Sequence, residues 1–288
     1  MMGVSAPEAV CPRPPKGGEG KGEGPALATV ACLLVLAGCP HAPPVNRPYA
    51  APSADELAAL LDARAAAVRG MNARARATSW LGGERVRATV LMLVERDGHL
   101  RFEAEVSLQG TVATLATDGR TFGLLDAQKN ELSQGPACPA HVATRVRIPL
   151  APADDAAILR GAARRPPDAA VSRDVAWDAA RGADVLELAG SGLTLHVFFA
   201  RKAGTVDLVG AEGFAGGKRQ WRTSYEDFEA AGTARLPRTI LFAEGDGSYD
   251  DGVEIKIKDR TINAAPPDGS FVLTPPPGVT VRDVGCGP

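Results

Sequence analysis

Apolar and polar positions follow three rhythms along the 288-residue chain. Residues 26–37 (ALATVACLLVLA) are a continuous apolar run of 12 residues. That is shorter than the roughly 20 residues a helix needs to cross a bilayer, but it suits the apolar core of an export signal. At 53–70 the rhythm becomes helical. Ser53 and Glu56 are placed as a capping box, and Leu57, Leu60, Leu61, Arg64 and Val68 follow at helical spacing up to Gly70. The stripe is narrow and Ala-rich, so this helix is expected to lie on another layer through one face.

From 71 to 134 the period changes to two. Short alternating runs are separated by Gly82-Gly83, Asp97-Gly98, Gly110, Asp118-Gly119 and Ala127-Gln128, the punctuation of an antiparallel meander. Leu100, Phe102, Ala104 and Val106 alternate with Arg101, Glu103 and Glu105, which predicts a sheet with one apolar and one wet face. Residues 136–167 interrupt the meander with two short predicted helices, at 140–147 and 154–161, the second opening on Asp154-Asp155. Alternation resumes from 171 to 263, and residues 270–274, before Pro275-Pro276-Pro277-Gly278, are expected to be the last ordered part. No motif repeats at a fixed period, so residues 53–288 read as one domain. About 11 strands in series curl as a sheet this long must. The expected fold is therefore α+β: a strongly curved antiparallel sheet, a half-open barrel, with an N-terminal helix and short helices covering its concave face.

The apolar run ends in Leu36-Ala37-Gly38-Cys39, with prolines directly behind. Small residues at Ala37-Gly38 let the chain lie extended in a processing cleft, and Cys39 then supplies a thiol. This tetrapeptide resembles the lipobox of bacterial lipoproteins; the alternative is an ordinary signal peptide with a chance Cys. The resemblance implies that residues 1–38 are removed and that Cys39 is acylated more than once, which anchors a soluble domain stably where one chain does not. Residue 40 is Pro and not Asp, which by resemblance to the proteobacterial sorting rule implies the outer membrane, periplasmic face. Residues 39–52 carry five prolines after Cys39 and are expected to form a semi-rigid extended tether. The segment before the apolar run holds Arg13, Lys16 and Lys21 against Glu8, Glu19 and Glu23, so a translation start at Val10, which leaves it positive, is expected.

Charge and chemistry narrow the picture. The net charge of −2 is unchanged by removal of 1–38 and shows no basic stripe, which argues against nucleic acid. With Cys11 and Cys32 lost and Cys39 lipidated, Cys138 and Cys286 remain, and they either pair in an oxidising compartment or stay free. No His joins them at metal-ligand spacing, so no metal and no cofactor is expected. Ser191 lies in a Gly-flanked turn and not in a nucleophile elbow. His41, His99, His141 and His196 are isolated along the chain, and Cys138 with His141 is a weak dyad beside Pro139. Residues 245–252 (GDGSYDDG) are acidic and Gly-rich but lack the spacing of a calcium loop. The chain reads as a non-enzyme.

The order of segments resembles the outer-membrane lipoprotein carrier and receptor family, LolA and LolB. The resemblance is carried by Leu100-Arg101-Phe102-Glu103-Ala104, by Leu115-Ala116-Thr117-Asp118-Gly119 with Phe122, and by a closing run. That run comprises Tyr225-Glu226-Asp227-Phe228, Gly232, Leu236-Pro237, Ile255-Lys256-Ile257, Ile262-Asn263, Phe271, Leu273 and Pro275. It implies a half-barrel enclosing an apolar cavity for acyl chains or lipoproteins, and a lipid-anchored member resembles the receptor end of the pathway. The apolar positions expected to line the cavity are Val90, Met92, Leu100, Phe102, Leu124, Leu195, Val197, Phe199 and Trp221, each of which serves equally as core under the helices. Trp80-Leu81, at the tip between the first two strands, either corresponds to the receptor's protruding loop or folds back on the sheet. A monomer is expected. The rival reading is an assembly lipoprotein that uses a filled sheet to dock an envelope protein.

Overall fold

Alternation of period two becomes one open sheet in the computed structural model, which describes residues 45–81, 84–106 and 110–286. Cys39, the apolar run and the first part of the Pro-rich stretch lie outside the described residues. Ser53 caps α1 (Ala54–Ala67), its side chain accepting a hydrogen bond from the Glu56 backbone N–H at 3.1 Å. Leu57, Leu61 and Val68 are buried, whereas Leu60 is 36% exposed.

The first meander runs through β1 (Gly70–Leu81), β2 (Glu84–Glu95), β3 (His99–Val106), β4 (Gly110–Asp118), β5 (Thr121–Asp126) and β6 (Glu131–Pro136). Two helices follow, α2 (Pro139–Val146) and α3 (Pro152–Leu159), each starting on a proline, whose missing N–H costs nothing there. The short strands β7 (Ala170–Val171) and β8 (Ala176–Asp178) lead into the second meander. It comprises β9 (Ala183–Gly190), β10 (Leu193–Lys202), β11 (Thr205–Ala215), β12 (Lys218–Ala231), β13 (Ala234–Glu244) and β14 (Val253–Ile262).

Sheet order is β6-β5-β4-β3-β2-β1-β14-β13-β12-β11-β10-β9-β7, with β8 also on β9. The two meanders therefore join through β1 and β14, antiparallel from Met71 opposite Ile262 to Ser79 opposite Val253. Asn263, at φ 58°, locks this joint by accepting from the Arg69 N–H at 2.8 Å and donating to the Ala67 carbonyl at 2.8 Å. Register slips at Arg74/Ala75, Ala104/Glu105, Phe198/Phe199 and Gly213/Phe214 add bulges that bend and twist the strands, and the sheet stays open.

Two expectations change. The described residues form fifteen strands where about 11 were expected, because short pieces such as β7 and β8 pair with β9. Residues 270–274 pass through a turn and are not the last ordered part. The chain instead ends in β15 (Thr280–Asp283), which lies parallel to β6 at the sheet edge, Thr280 opposite Glu131 through Asp283 opposite Gln134. Asn130 donates to the Gly278 carbonyl at 2.8 Å, and Cys138 and Cys286 are joined as a disulfide with Cα atoms 5.9 Å apart.

The apolar face of the second meander is filled. Leu186, Leu188, Leu195, Val197, Phe199, Leu208, Tyr225, Ile240 and Phe242 share one buried cluster with Leu57 and Leu61 of α1 and with Ile158 and Leu159 of α3. The 3-10 turn at Arg96–Gly98 seats α3 against β3. Gly98 adopts φ 85° and lies so close to Pro152 that a Cβ there would sit 2.8 Å from the proline ring.

The Pro-rich stretch is seated from Val45 onward. The Val45 N–H donates to the Ala179 carbonyl at 3.0 Å, and Trp177 Nε1 donates to the Val45 carbonyl at 2.7 Å. Arg47 Nε lies 2.9 Å from the buried Asp184 carboxylate. Tyr49 donates to the same carboxylate at 3.1 Å, and burial followed by that bond raises its pKa.

Candidate apolar cleft

The first meander differs from the second in what covers it, and the difference follows from cross-strand register. One row of facing residues reads Ala73, Met92, Phe102, Leu115 and Leu124 across β1 to β5. The next row reads Ile257, Ala75, Val90, Ala104, Ala113 and Asp126 across β14 and β1 to β5. Beyond it stand Ile255, Ala77 and Ala88. Large side chains thus give way to alanines toward the hairpin end of β1 and β2, and α3 packs over the opposite end, beside the Arg96–Gly98 turn. A cleft of about 310 Å³ remains over the alanines.

Met92, Phe102, Leu115, Val90 and Ile255 line it together with Ala77, Ala88, Ala104 and Ala113. Val86 and Val106 extend the apolar lining and are themselves exposed. Ser79, Arg87, Asp126, Gln128 and Arg147 supply its polar groups. The cleft lies at the low end of the roughly 300–1,000 Å³ usual for small-molecule sites and matches their apolar lining with a few polar groups.

Of the nine expected lining positions, the cleft gathers Val90, Met92 and Phe102. Leu100 is buried one row away, opposite Val94, and Leu124 is half-buried opposite Leu115. Leu195, Val197, Phe199 and Trp221 are buried in the filled second meander. The sequence pattern did not single out Leu115, Ile255, Val86 or Val106 as lining, nor the alanines. A small apolar residue carries no signal for a cavity until its cross-strand neighbours are known.

Trp80 is half-buried, with the Arg85 guanidinium 5.4 Å from its ring centroid. Strand alternation turns it away from Ser79, which lines the cleft. Leu81 pairs with Glu84 across the hairpin, and Gly82-Gly83 lie outside the described residues.

The groups weighed for catalysis have structural partners. Cys138 is disulfide-bonded, and His141 meets the Pro136 carbonyl at 2.8 Å and stacks on Phe122. His99 meets the Arg96 carbonyl at 3.1 Å, and His196 meets Glu187 at 3.2 Å. His41 lies outside the described residues. The Ser191 hydroxyl donates to the Pro167 carbonyl at 3.3 Å. Within 245–252, Asp246 pairs with Arg219 at 2.8 Å, and Ser248 accepts from the Asp250 N–H at 3.1 Å. Among the described residues no three His, Cys, Asp or Glu side chains cluster as a metal site, and no helix is long and apolar enough to cross a membrane.

No family model and no curated protein matches the chain. Solved structures do. A LolA superfamily protein from Nitrosomonas europaea is 14% identical, with a TM-score of 0.50 over 77% of this chain and 99% of that one. A putative outer membrane lipoprotein-sorting protein domain from Vibrio parahaemolyticus is 9% identical, with a TM-score of 0.49 over 75% and 95%. The chain has a LolA/LolB-like fold.

Proposed function

We propose that this is a lipid-anchored protein of the outer membrane, facing the periplasm, that binds an acyl chain or the acylated end of a lipoprotein in the cleft of the first meander. The observation that carries the reading is the cleft itself: an open trough with Met92 and Phe102 among its larger side chains, alanines along its length, and Arg87 and Arg147 among its polar groups. An amphiphile fits that order, with its tail over the alanines and its polar head at the charged groups. The driving force is apolar area removed from water, about 25 cal/mol per Å², and no bond is made or broken. The similarity of fold to a LolA superfamily protein supports this reading. The Leu36-Ala37-Gly38-Cys39 motif supports the anchor, which distinguishes this chain from a diffusible carrier.

Native mass spectrometry of the exported chain carrying Cys39→Ser tests the binding. Non-covalent acyl ligand is expected on the otherwise native cleft and is expected to be lost in Ala104→Trp, whose indole fills the trough. A ligand-free protein would instead favour a second reading, which the filled second meander also supports: an assembly lipoprotein docking an envelope protein. Fractionation tests the anchor, since Cys39→Ser should move the protein from membrane to soluble periplasm.

A further inference from the structure

A second depression, of about 290 Å³, lies between α1 and α3 and shares no lining residue with the apolar cleft. Four guanidiniums line it, those of Arg96, Arg160, Arg164 and Arg165, against the two carboxylates of Asp62 and Asp97. The remaining walls are Leu61 and alanines.

Arg160 is the informative group, because it is only 7% exposed and forms no ion pair among the described residues. Its Nε donates to the Ala156 carbonyl at 3.0 Å and its Nη1 to the Val68 carbonyl at 2.6 Å, and Nη2 has no protein partner among the described residues. Burial, then repulsion from Arg96, lowers its pKa to about 10, so it remains a cation at neutral pH. Arg96 uses Nη2 on the Ala65 and Ala66 carbonyls, at 2.7 and 3.2 Å, and leaves Nε and Nη1 for another acceptor. Arg164 and Arg165 approach Asp154 and Asp62 only at 3.5 Å and in partly exposed positions, where such pairs contribute little.

Arg160 is a buried cation whose hydrogen bonds go only to carbonyls, and the favourable charge of Asp97 is outweighed by burial and by repulsion from Arg96. Guanidinium forks match the oxygens of a phosphoryl group two at a time, and converging forks suit its several oxygens better than a carboxylate's two. We propose that this depression binds a phosphoryl group, with Arg160 at its base and Arg96, Arg164 and Arg165 around it. The group belongs either to a lipid headgroup or to a soluble phosphate.

Calorimetric titration of the intact chain with inorganic phosphate at low ionic strength tests the site. Saturable binding is expected, weaker by about ten-fold or more in Arg160→Met and by several-fold in the exposed Arg164→Gln. Arg173→Gln, outside the depression, and Ala104→Trp, in the apolar cleft, should leave it unchanged. Sedimentation with phosphatidylglycerol vesicles against phosphatidylcholine vesicles assigns the source. A preference for phosphatidylglycerol that falls in Arg164→Gln identifies a lipid headgroup, and phosphate binding without that preference identifies a soluble ligand. Absence of saturable phosphate binding, or equal binding in native chain and Arg164→Gln, overturns the proposal, and the second comparison holds even if Arg160→Met does not fold.

Discussion

Asp155 shows how far one residue's role departs from its local pattern. Two adjacent acids at the start of a helix read as partners of the helix dipole, and Asp154 keeps that character, with Arg164 3.5 Å away. Asp155 is fully buried, and neither carboxylate oxygen has a hydrogen-bond partner among the described residues. Burial, reinforced by Asp154, raises its pKa well above the ordinary value. The folded state then holds a proton that the unfolded chain releases, so stability is greatest below the unfolded pKa near 3.8 and falls as pH rises through the folded value. Asp155→Asn removes that ionisation. Its Tm should be higher than the native protein's at pH 7 by about 2–4 °C, the shift that about 1 kcal/mol gives in a domain of this size. Thermal melts from pH 4 to 8 check this, and parallel pH profiles for the two proteins would refute it. Ser53 is the opposite case, since its capping bond to the Glu56 N–H is legible from four consecutive residues. Leu60 lies between, helical in spacing but exposed, because the helix shows the core only a narrow face.

Among the elements, the C-terminal edge strand is where reading in one dimension fails most clearly. β15 has four exposed residues and no apolar alternation, so nothing in its own sequence marks it as a strand. Its order comes from partners about 150 residues away: the parallel ladder on β6, the Val284 N–H donating to the Gln134 carbonyl at 2.9 Å, and the disulfide. Gly135 permits the close approach, since a Cβ there would overlap the Val284 carbonyl. Closing so long a loop by a disulfide contributes up to about 5 kcal/mol in the chain-entropy model. Cys286→Ser and Gly135→Val should each raise amide exchange in β15 and β6 while β10 to β13 stay protected, as hydrogen exchange resolved by segment measures. Uniform loss of protection would show instead that the edge is integral to the core.

At the scale of the molecule, one sheet carries two differently used halves. The second meander has its apolar face buried in a cluster shared with α1 and α3, whereas the first, which α3 covers at one end, keeps an open trough over Ala77, Ala88, Ala104 and Ala113. The halves should respond oppositely to substitution. Leu195→Ala, in the filled half, is expected to cost about 2–5 kcal/mol by the cavity it leaves, whereas Ala104→Trp should change stability by less than about 1 kcal/mol, because its side chain enters open space. Urea unfolding of both variants gives the comparison. Equal losses would mean that the trough is part of the packed interior.

Period, punctuation and the Leu36-Ala37-Gly38-Cys39 motif determined from sequence alone that this is a curved antiparallel sheet with few helices, and carried the expectation of an export signal and lipid anchor. These are local properties: a two-residue alternation fixes which face is apolar, and a turn dipeptide fixes where a strand ends. Only the tertiary structure decided that β1 pairs with β14, that β15 closes the edge, and which apolar rows meet a helix and which meet a gap. Those outcomes depend on register between strands far apart in the chain. The same apolar pattern therefore yields core in one meander and a cleft in the other.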